Sequence, residues 1–411
     1  MDFLTVVFLV YSFIAFYFLF LFILIYLQNY KRIMWVPAIT KKYEVSIVIP
    51  CYNEEKSIAK TIDNLVKNGY SGLKKIIVVD DRSTDNSYNI MKACVKKYPG
   101  VVMAVQTPKN TGNAAGAKNY GAKFAKTELI GFTDADSFPE KGAIVKMMGF
   151  FDNQEVGAVT SNVLVYNRDN LLLRLQAIEY IVIKFTRKFL EFIESIYVTP
   201  GPLAMYRRKL FEEVGRFDEA NLTEDIEITW RFLARGYKIR MSVPSKVYSV
   251  APTKLKDWYK QRLRWNMGGV QTIFKYKRRF FDGTMLGNFV LPFFIFSWVI
   301  GVFGLSIILY RWIRIILLKY LSTTYSVKAH ATILSFGDIS LVPNVLLFMG
   351  LLIFILGILY TVLSLYSIKE KKKYKKPGIF PITIYTFFYL LAYPIILIVS
   401  AYKLMRGKTT W

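Results

Sequence analysis

The stretch Val45-Ser-Ile-Val-Ile-Pro-Cys-Tyr-Asn-Glu54 decides the fold, because an apolar run leads directly into a polar turn. The same arrangement returns twice further along the chain, in Lys75-Ile-Ile-Val-Val-Asp-Asp-Arg-Ser-Thr-Asp85 and in Leu129-Ile-Gly-Phe-Thr-Asp-Ala-Asp-Ser137. Short apolar runs that are bounded by turn residues are typical of strands buried on both faces. The three segments therefore predict buried strands of a parallel sheet.

Amphipathic patterns between these strands predict helices over residues 57–67, 85–97 and 114–125, and a further strand over residues 101–105. Strands that alternate with helices indicate a parallel, doubly wound α/β sheet. Sheets of this kind bind ligands at the carboxyl ends of their strands. Functional side chains are therefore expected directly after each strand.

Acidic side chains follow three of the four predicted strands: Glu54, then Asp80 and Asp81, then Asp134 and Asp136. Burying several like charges together is costly unless a cation or a donor-rich ligand compensates them. Asp134 and Asp136 can both turn toward one hard cation, which prefers oxygen ligands. We predict a divalent ion there that bridges the phosphates of a nucleoside diphosphate, with Asp80 and Asp81 accepting hydrogen bonds from its base or ribose. The alternative for Asp134 and Asp136 is a solvated turn or a helix cap.

Composition and charge indicate a membrane protein. The chain has 411 residues, of which 54% are hydrophobic, and its 55 Lys and Arg against 29 Asp and Glu give a net charge of +26. Chains that are both apolar and strongly basic are usually polytopic membrane proteins with cationic flanks. The cations cluster beside apolar runs instead of forming one basic stripe, so we predict contact with membrane lipids and none with nucleic acid.

Four apolar runs are long enough to cross a bilayer: residues 3–27, 285–310, 340–367 and 380–402. Basic clusters flank these runs at Lys31–Lys42, Lys275–Arg279 and Lys369–Lys376. The positive-inside rule then places the intervening domain in the cytoplasm and both termini outside. Three cations follow the second run: Arg311, Arg314 and Lys319. They lie either in an external loop or in a re-entrant or interfacial helix over residues 311–321, and the second possibility would change the number of crossings.

The sequence thus predicts a multi-pass plasma-membrane protein in four parts. These are an N-terminal transmembrane helix (1–30), an α/β domain (44–251), an amphipathic helix in the membrane interface (252–283) and about three C-terminal transmembrane helices (284–411). Residues 171–195 form a second amphipathic stretch. For both amphipathic stretches the alternative is an ordinary core helix, because periodicity alone does not separate the two.

The scarcity of cysteine and histidine excludes several kinds of site. Cys51 and Cys94 are the two cysteines of the chain, and His330 is its one histidine. A His-rich zinc site is therefore excluded, and so is a Ser-His-Asp triad unless His330 belongs to it. The cysteines lack metal-ligand spacing and are expected to be small buried hydrophobes.

The three strand-end segments together resemble the inverting nucleotide-sugar glycosyltransferases of the GT-A fold. Two later segments, Leu222-Thr-Glu-Asp-Ile-Glu-Ile-Thr-Trp230 and Lys260-Gln-Arg-Leu-Arg-Trp265, narrow the resemblance to membrane-integrated family-2 polysaccharide synthases of the poly-N-acetylglucosamine, hyaluronan, chitin and cellulose type. The resemblance covers about residues 44–270. It implies a GT-A (Rossmann-like) cytoplasmic α/β domain beside transmembrane and interfacial helices, a UDP-sugar donor and Mg²⁺ or Mn²⁺.

The resemblance also implies roles for single residues. Asp225 is implied as the general base for the acceptor hydroxyl, and Glu224 beside it is expected to raise its pKa by like-charge repulsion. Gln261, Arg264 and Trp265 share one helix face. The resemblance implies that Arg264 stabilises the departing diphosphate and that Trp265 stacks on the acceptor sugar. Donor binding is implied for Pro50, Tyr52, Glu54, Asp80, Asp81, Lys118 and Asp134, and metal binding for Asp134 and Asp136.

These motifs have structural alternatives. The segment 223–225 also fits a capped helix start, the segment 261–265 an aromatic and basic interfacial helix, and Lys118 a surface lysine. The loop Thr199-Pro-Gly-Pro-Leu-Ala-Met-Tyr-Arg207 resembles an acceptor loop in which Gly201 permits close backbone approach. The proline before Gly201 departs from the usual family pattern.

The sequence is compatible with three functions. The first is processive synthesis of a β-linked polysaccharide by inverting sugar transfer, in some relatives with a small membrane subunit. The second is transfer of one sugar to a lipid carrier or glycolipid, which the small number of apolar runs favours. The third, a non-catalytic transporter or scaffold, is disfavoured because a transporter needs polar groups inside its spans and these runs contain almost none.

Overall fold

The computed structural model describes residues 3–328, 345–367 and 377–407. Its strands are β1 (Val45–Cys51), β2 (Leu73–Asp80), β3 (Val102–Gln106), β4 (Leu129–Phe132), β5 (Ser137–Pro139), β6 (Val156–Val165), β7 (Ala204–Arg207) and β8 (Lys238–Ser249). Its α-helices are α1 (Phe3–Asn29), α2 (Ile58–Val66), α3 (Ser87–Lys97), α4 (Ala114–Ala122), α5 (Val145–Met148), α6 (Leu171–Phe192), α7 (Arg208–Glu213), α8 (Glu224–Leu233), α9 (Leu255–Tyr276), α10 (Leu291–Lys328), α11 (Val345–Ser367) and α12 (Ile379–Met405).

One sheet of eight strands, in the order β3-β2-β1-β4-β7-β6-β8-β5, forms the centre of the domain. β1 pairs in parallel with both β2 and β4, and β2 pairs in parallel with β3, with α2, α3 and α4 in the connections. All four predicted strands and their three helices are therefore confirmed. Because these strands run the same way, their carboxyl ends meet at one edge of the sheet.

The other half of the sheet is mixed. β7 runs antiparallel to both β4 and β6, β6 pairs in parallel with β8, and β5 is antiparallel to β8. The predicted parallel arrangement is therefore confirmed for β1 to β4, whereas the strands beyond β4 make the sheet as a whole mixed. All ten residues of β6 are buried, including the polar Thr160, Ser161 and Asn162, and burial on both faces does not report the direction of the neighbouring strands.

Alternate residues of β1 enter two different cores. Val48 packs on one face of the sheet with Ile77, while Ile47 and Ile49 pack on the other face. Successive strand residues point to opposite faces, so the whole run is apolar. On the first face α4 lies very close to the sheet at Gly121, where a Cβ atom would come within 2.5 Å of a Val48 methyl group.

Helix α6 lies between the sheet and the apolar helices, since it contacts β6 and β8 on one side and α1, α11 and α12 on the other. Lys184, Arg187 and Lys188 are buried there. A helix that lay in the membrane interface would keep such cations at the polar surface. The burial of α6 thus matches the core-helix alternative, and α9 likewise packs one face against α8 and α12.

Three helices are long and apolar enough to cross a membrane, judged by length and composition: Leu9–Arg32, Leu286–Lys328 and Ile379–Met405. The apolar part of α11, Phe354–Ser367, is shorter in the part of the chain that is described. Each of the four predicted spans therefore contains a helix, while the number of crossings stays a prediction. His330, the start of the run 340–367 and the whole basic cluster at Lys369–Lys376 lie outside the described residues.

The stretch 311–321 belongs to α10, so it is a continuous helix and not an external loop. No glycine or proline follows Gly304 within α10. These residues are the usual helix breakers, and without one the helix continues through the stretch.

Candidate active site

The carboxyl ends of β1, β2 and β4 bring the predicted strand-end segments together. Cys51 is in register with Asp80, and the backbone N–H of Asp81 donates to the carbonyl oxygen of Cys51 at 2.8 Å. On the other side of β1 the N–H of Thr133 donates to the carbonyl oxygen of Val48 at 3.1 Å. The acidic residues after these strands therefore share one edge of the sheet.

Asp80 and Asp81 are buried and hold the segment after β3. A carboxylate oxygen of Asp80 accepts from Gln106 Nε2 at 2.7 Å. Asp81 accepts from the hydroxyl groups of Thr107 and Thr111, each at 2.8 Å. These carboxylates thus anchor the loop over residues 107–111, and their binding of a base or ribose stays a prediction.

The segment after β1 carries a half-exposed tyrosine ring and a hydrogen-bonded glutamate. Pro50 lies within β1, and the Tyr52 side chain beyond it is half exposed. Glu54 accepts from the hydroxyl group of Ser57 at 2.6 Å. Burial and the charge of Asp134 raise the pKa of Glu54, so its carboxyl group lies within electrostatic range of the fourth strand end.

Asp134 and Asp136 form an electronegative pair after β4. Burial, together with the negative charges of Asp134 and Glu54, raises the pKa of Asp136 to about 7. Within residues 3–328, 345–367 and 377–407, no group of three or more His, Cys, Asp or Glu side chains could hold a metal ion. The all-oxygen pair nevertheless fits a hard cation that completes its coordination with phosphates and water, as Mg²⁺ commonly does.

Lys118 is a buried cation that links the two acidic motifs, and the surface-lysine alternative is wrong. Its Nζ lies 2.7 Å from Glu224 Oε1 and 3.6 Å from Asp134 Oδ1. Burial alone would lower the pKa of Lys118, but the charges of Glu224 and Asp134 outweigh burial and raise it above its usual range. The close contact of α4 with the sheet at Gly121, one turn further along the helix, fixes this position.

Glu224 and Asp225 open α8 beside Lys118. The ion pair with Lys118 outweighs burial and lowers the pKa of Glu224. Burial and the charge of Glu224 raise the pKa of Asp225 to about 6. The predicted like-charge effect of Glu224 is thus present, and Asp225 is a carboxylate whose basicity approaches neutral pH.

The loop before β7 packs against both acidic motifs. A Cβ atom on Gly201 would lie 2.6 Å from Asp134 Oδ2, so the predicted close backbone approach is made to this carboxylate. On the other side the hydroxyl groups of Thr199 and Thr229 lie 2.9 Å apart, and Thr229 donates to the carbonyl oxygen of Asp225 at 2.6 Å. One loop therefore fixes the distance between Asp134 and the start of α8.

Helix α9 brings the third motif to the site. Arg264 Nη1 donates to the carbonyl oxygen of Leu222 at 3.1 Å, and its charge lowers the pKa of Glu224. Gln261 and Trp265 are partly exposed on the same helix. Arg262, to which the sequence assigned no role, is wholly buried between them. The sequence signal for Arg262 is that the motif contains an arginine besides Arg264, but its buried partner could not be predicted from the sequence.

A cavity of about 1220 Å³ lies on the outer side of α4, away from these carboxylates. Thr107 and Thr111 line it, together with residues of the segment 215–220. Asp134, Lys118 and Asp225 do not line it. We place the candidate site at the strand ends because the charged side chains converge there.

Residues 46–215 match the model of Glycosyl transferase family 2. This segment is a family 2 glycosyltransferase domain. The poly-beta-1,6-N-acetyl-D-glucosamine synthase of Staphylococcus aureus (strain COL) is 27% identical over 267 residues, which are 64% of this chain and 63% of that synthase. The probable glycosyltransferase YdaM of Bacillus subtilis (strain 168) is 31% identical over 278 residues, 66% of each chain. The chain thus spans somewhat less than two thirds of the length of these relatives.

A solved structure resembles nearly the whole chain that carries this glycosyltransferase domain. The mannosyltransferase PcManGT from Pyrobaculum calidifontis, in complex with GDP-Man and Mn²⁺, has a TM-score of 0.63 at 18% identity. The match covers 97% of this chain and 99% of that one. The likeness confirms the predicted GT-A fold class.

Gly268 of α9 packs closely against Thr223 at the start of α8. A Cβ atom on Gly268 would lie 2.1 Å from Thr223 Oγ1, two residues before Asp225, whereas a Cβ atom on Gly269 would make an ordinary 3.4 Å contact with Trp298. Gly268→Ala is expected to displace the start of α8 and to lower the rate of sugar transfer roughly tenfold to a hundredfold.

Gly269→Ala is the matched control, because both variants gain the same helix propensity from alanine. Initial rates of nucleotide release, measured with thermal unfolding of each purified variant, check the prediction. Equal rates in the two variants would show that the Thr223 contact does not position Asp225.

Proposed function

We propose that this protein transfers a sugar from a nucleotide-sugar donor, with inversion, to the end of a growing β-linked polysaccharide. One observation carries the proposal. Lys118 Nζ lies 2.7 Å from Glu224 and 3.6 Å from Asp134, and its charge also acts on Asp225, the carboxylate of raised pKa that follows Glu224 directly. One buried lysine thus links the carboxylate proposed for the donor diphosphate to the helix start that carries the base proposed for the acceptor.

The proposed reaction is a single displacement. Asp225 takes the proton from the acceptor hydroxyl group as that oxygen forms a bond to the anomeric carbon. The bond from the anomeric carbon to the diphosphate breaks on the opposite face, so the configuration inverts. Arg264 stabilises the negative charge that develops on the leaving nucleoside diphosphate, since a guanidinium group suits phosphate oxygens. One carboxylate base suffices for this displacement, unlike hydrolysis, which needs a pair.

Donor binding is proposed at the strand ends. A bound Mg²⁺ or Mn²⁺ ion would neutralise the diphosphate of the donor. Asp134 and Asp136 would hold that ion, and Tyr52, Asp80 and Asp81 would contact the nucleotide. A uridine nucleotide is supported by the similarity to the synthase of Staphylococcus aureus, whose name implies an N-acetylglucosamine product.

A polymer is the proposed acceptor because Gln261 and Trp265 remain partly exposed beside Arg264. An indole ring suits the apolar face of a sugar that already belongs to a chain. The number of membrane helices supports the alternative, transfer of one sugar to a lipid carrier, since only three long apolar helices occur among the described residues. In either case we propose a plasma-membrane protein with the catalytic domain in the cytoplasm, and for the polymer a small membrane subunit is a further possible partner.

Product analysis tests the proposal. The full chain in lipid nanodiscs is incubated with Mn²⁺ and, separately, with UDP-N-acetylglucosamine, UDP-glucose, UDP-glucuronate and GDP-mannose, and the products are analysed by mass spectrometry. A ladder of long oligosaccharides from one UDP-sugar is the expected result. A single sugar on a lipid would favour the alternative, and no turnover of any donor would contradict both.

The pKa of Asp225 sets a prediction for the pH dependence of transfer. The base must be ionised, and its pKa is raised from 3.8 to about 6, so the carboxylate becomes protonated as the pH falls through about 6. The value of kcat/KM for transfer, which reports the free enzyme, is expected to fall about tenfold for each pH unit below that value. Stopped assays between pH 4.5 and 8 in buffers of constant ionic strength, about 0.1 M, measure it.

Glu224→Gln is the informative variant for this profile. It removes the neighbouring negative charge and leaves Lys118, so the acid limb is expected to move to lower pH. An acid limb that keeps its position in Glu224→Gln would show that the titrating group is not Asp225.

A further inference from the structure

We propose that Arg262 is a positioning residue that orients Gln261 and Trp265 toward the acceptor and ties them to the apolar helix α12. The inference rests on the proposed function, in which these two side chains face the acceptor. Arg262 is wholly buried on α9, whereas Gln261 and Trp265 are partly exposed. It therefore stands behind the acceptor-facing residues and does not itself face the cleft.

One guanidinium group contacts both acceptor-facing side chains. Arg262 Nη1 donates to Gln261 Oε1 at 2.6 Å. The guanidinium carbon of Arg262 lies 4.1 Å from the centroid of the Trp265 ring, within the range of a cation–π contact. The amide orientation of Gln261 and the plane of the Trp265 ring are thus set by the same planar group.

The other edge of the guanidinium is held by Glu179 of α6. Arg262 Nε donates to Glu179 Oε1 at 2.9 Å, and Nη2 donates to the second carboxylate oxygen. Both side chains are almost completely buried. Two parallel hydrogen bonds to a carboxylate fix the plane of the guanidinium as well as its position.

Helix α12 completes the cluster. The hydroxyl group of Tyr389 donates to Glu179 Oε2 at 2.8 Å, and that of Tyr393 donates to Oε1. The two tyrosines lie one turn apart on α12, and their ring centroids are 5.5 Å apart. Glu179, Arg262, Tyr389 and Tyr393, the "tether cluster", thus join α6, α9 and an apolar helix through one carboxylate.

The chemistry of the tether cluster indicates orientation and not mere stability. A buried ion pair is a poor source of stability, because apolar side chains of similar volume often serve as well or better. A guanidinium, in contrast, offers five donors in one plane, which an ammonium group lacks. Only such a group reaches Glu179 and Gln261 together while its face lies against Trp265. A displacement of α12 against α9 would move this plane, so the acceptor side is linked to the membrane helix.

Arg262→Lys tests the inference, because lysine keeps the positive charge for Glu179 and loses the planar fork. In nanodisc-bound full chain, hydrolysis of UDP-N-acetylglucosamine without acceptor is expected to stay within about twofold of the unaltered protein, since that reaction does not use Gln261 or Trp265. Transfer to an N-acetylglucosamine oligosaccharide is expected to fall at least about tenfold, with a higher KM for the oligosaccharide and an unchanged KM for the donor.

Conservative variants on α12 keep the test independent of any folding defect. Tyr389→Phe and Tyr393→Phe remove one hydroxyl group each from Glu179 and are expected to raise the KM for the oligosaccharide about twofold to fivefold. Tyr385→Phe is the matched control. The ring centroid of Tyr385 lies 4.7 Å from that of Tyr389, but among the hydrogen bonds of the described residues the tyrosines of α12 that donate to Glu179 are Tyr389 and Tyr393.

The outcomes separate this inference from the proposed function. An unaltered protein that turns over no donor would contradict the proposed function. If the unaltered protein is active, and Arg262→Lys either matches it in oligosaccharide transfer or loses donor hydrolysis to the same degree, the positioning role is overturned. A split between a changed oligosaccharide KM and an unchanged donor KM supports it.

Discussion

Asp225→Asn is expected to lower the rate of sugar transfer by about 10²–10⁴-fold, the usual contribution of a positioned general base. Asparagine has nearly the shape of aspartate and keeps the Oδ1 atom that accepts from the Ile226 N–H at 2.9 Å. The start of α8 should therefore stay intact. Because the amide cannot take a proton from the acceptor hydroxyl, the loss should appear in the rate and not in the affinity for nucleotide.

Two measurements check the role of Asp225. Initial rates come from nucleotide release in the presence of acceptor, and the affinity for UDP comes from calorimetry on the same preparation. Asp257→Asn is the matched control, because Asp257 also lies in the first turn of a helix but is exposed to solvent. A parallel loss of UDP affinity and rate in Asp225→Asn would refute the assignment as base.

Removal of divalent ions is expected to reduce transfer to background, and addition of Mg²⁺ or Mn²⁺ to restore it. Without a cation the electronegative pair Asp134 and Asp136 would repel the diphosphate of the donor. EDTA already saturated with Mg²⁺ is the control for effects of the chelator itself. Undiminished turnover in metal-free protein would remove both carboxylates from the proposed metal site.

Metal binding can also be followed without turnover. Electron paramagnetic resonance of Mn²⁺ in the presence of UDP reports the bound ion directly. Asp134→Asn and Asp136→Asn are each expected to weaken Mn²⁺ binding by at least about tenfold, since each removes one of two carboxylate ligands from a hard cation. Asp257→Asn again serves as the exposed control, and equal Mn²⁺ affinity in all three variants would contradict the assignment.

The acidic edge of the sheet could be predicted from the sequence because its signals are local. Each strand end combines a short apolar run with acidic residues that follow it directly, so fold and candidate ligands come from the same few positions. Parallel strands place their carboxyl ends together, and the sequence separation between Glu54 and Asp134 does not matter. The structure adds that Lys118 compensates the negative charges of Asp134 and Glu224. This lysine lies on a helix and has no acidic neighbour in the sequence.

The tether cluster could not have been predicted in the same way. Glu179 and Arg262 are 83 residues apart, and Tyr389 lies 210 residues from Glu179. Each of these residues looks locally ordinary: a glutamate on an amphipathic helix, an arginine in a basic motif, a tyrosine in an apolar run. Periodicity predicts which face of a helix is apolar, but not which buried charges meet across three helices.

The antiparallel pairing of β7 could not be predicted from the sequence for a related reason. β4 is followed by a partner, β7, that begins about 70 residues later and runs the other way. The buried pattern of a central strand is the same for a parallel and an antiparallel neighbour. The direction is set by the connections, and the segment between β4 and β7 carries a long helix, α6, whose own packing was ambiguous in sequence.

The continuity of α10 matters for the match between the length of this helix and the thickness of a bilayer. Its 38 residues reach about 57 Å at the α-helical rise of about 1.5 Å per residue, nearly twice the about 30 Å of a hydrocarbon core. Even a tilt of about 40° leaves about 44 Å along the bilayer normal. If α10 crosses a bilayer as predicted, about 14 Å of the helix emerges among headgroups or in water, and hydrophobic mismatch, not a turn in the chain, decides where it does so.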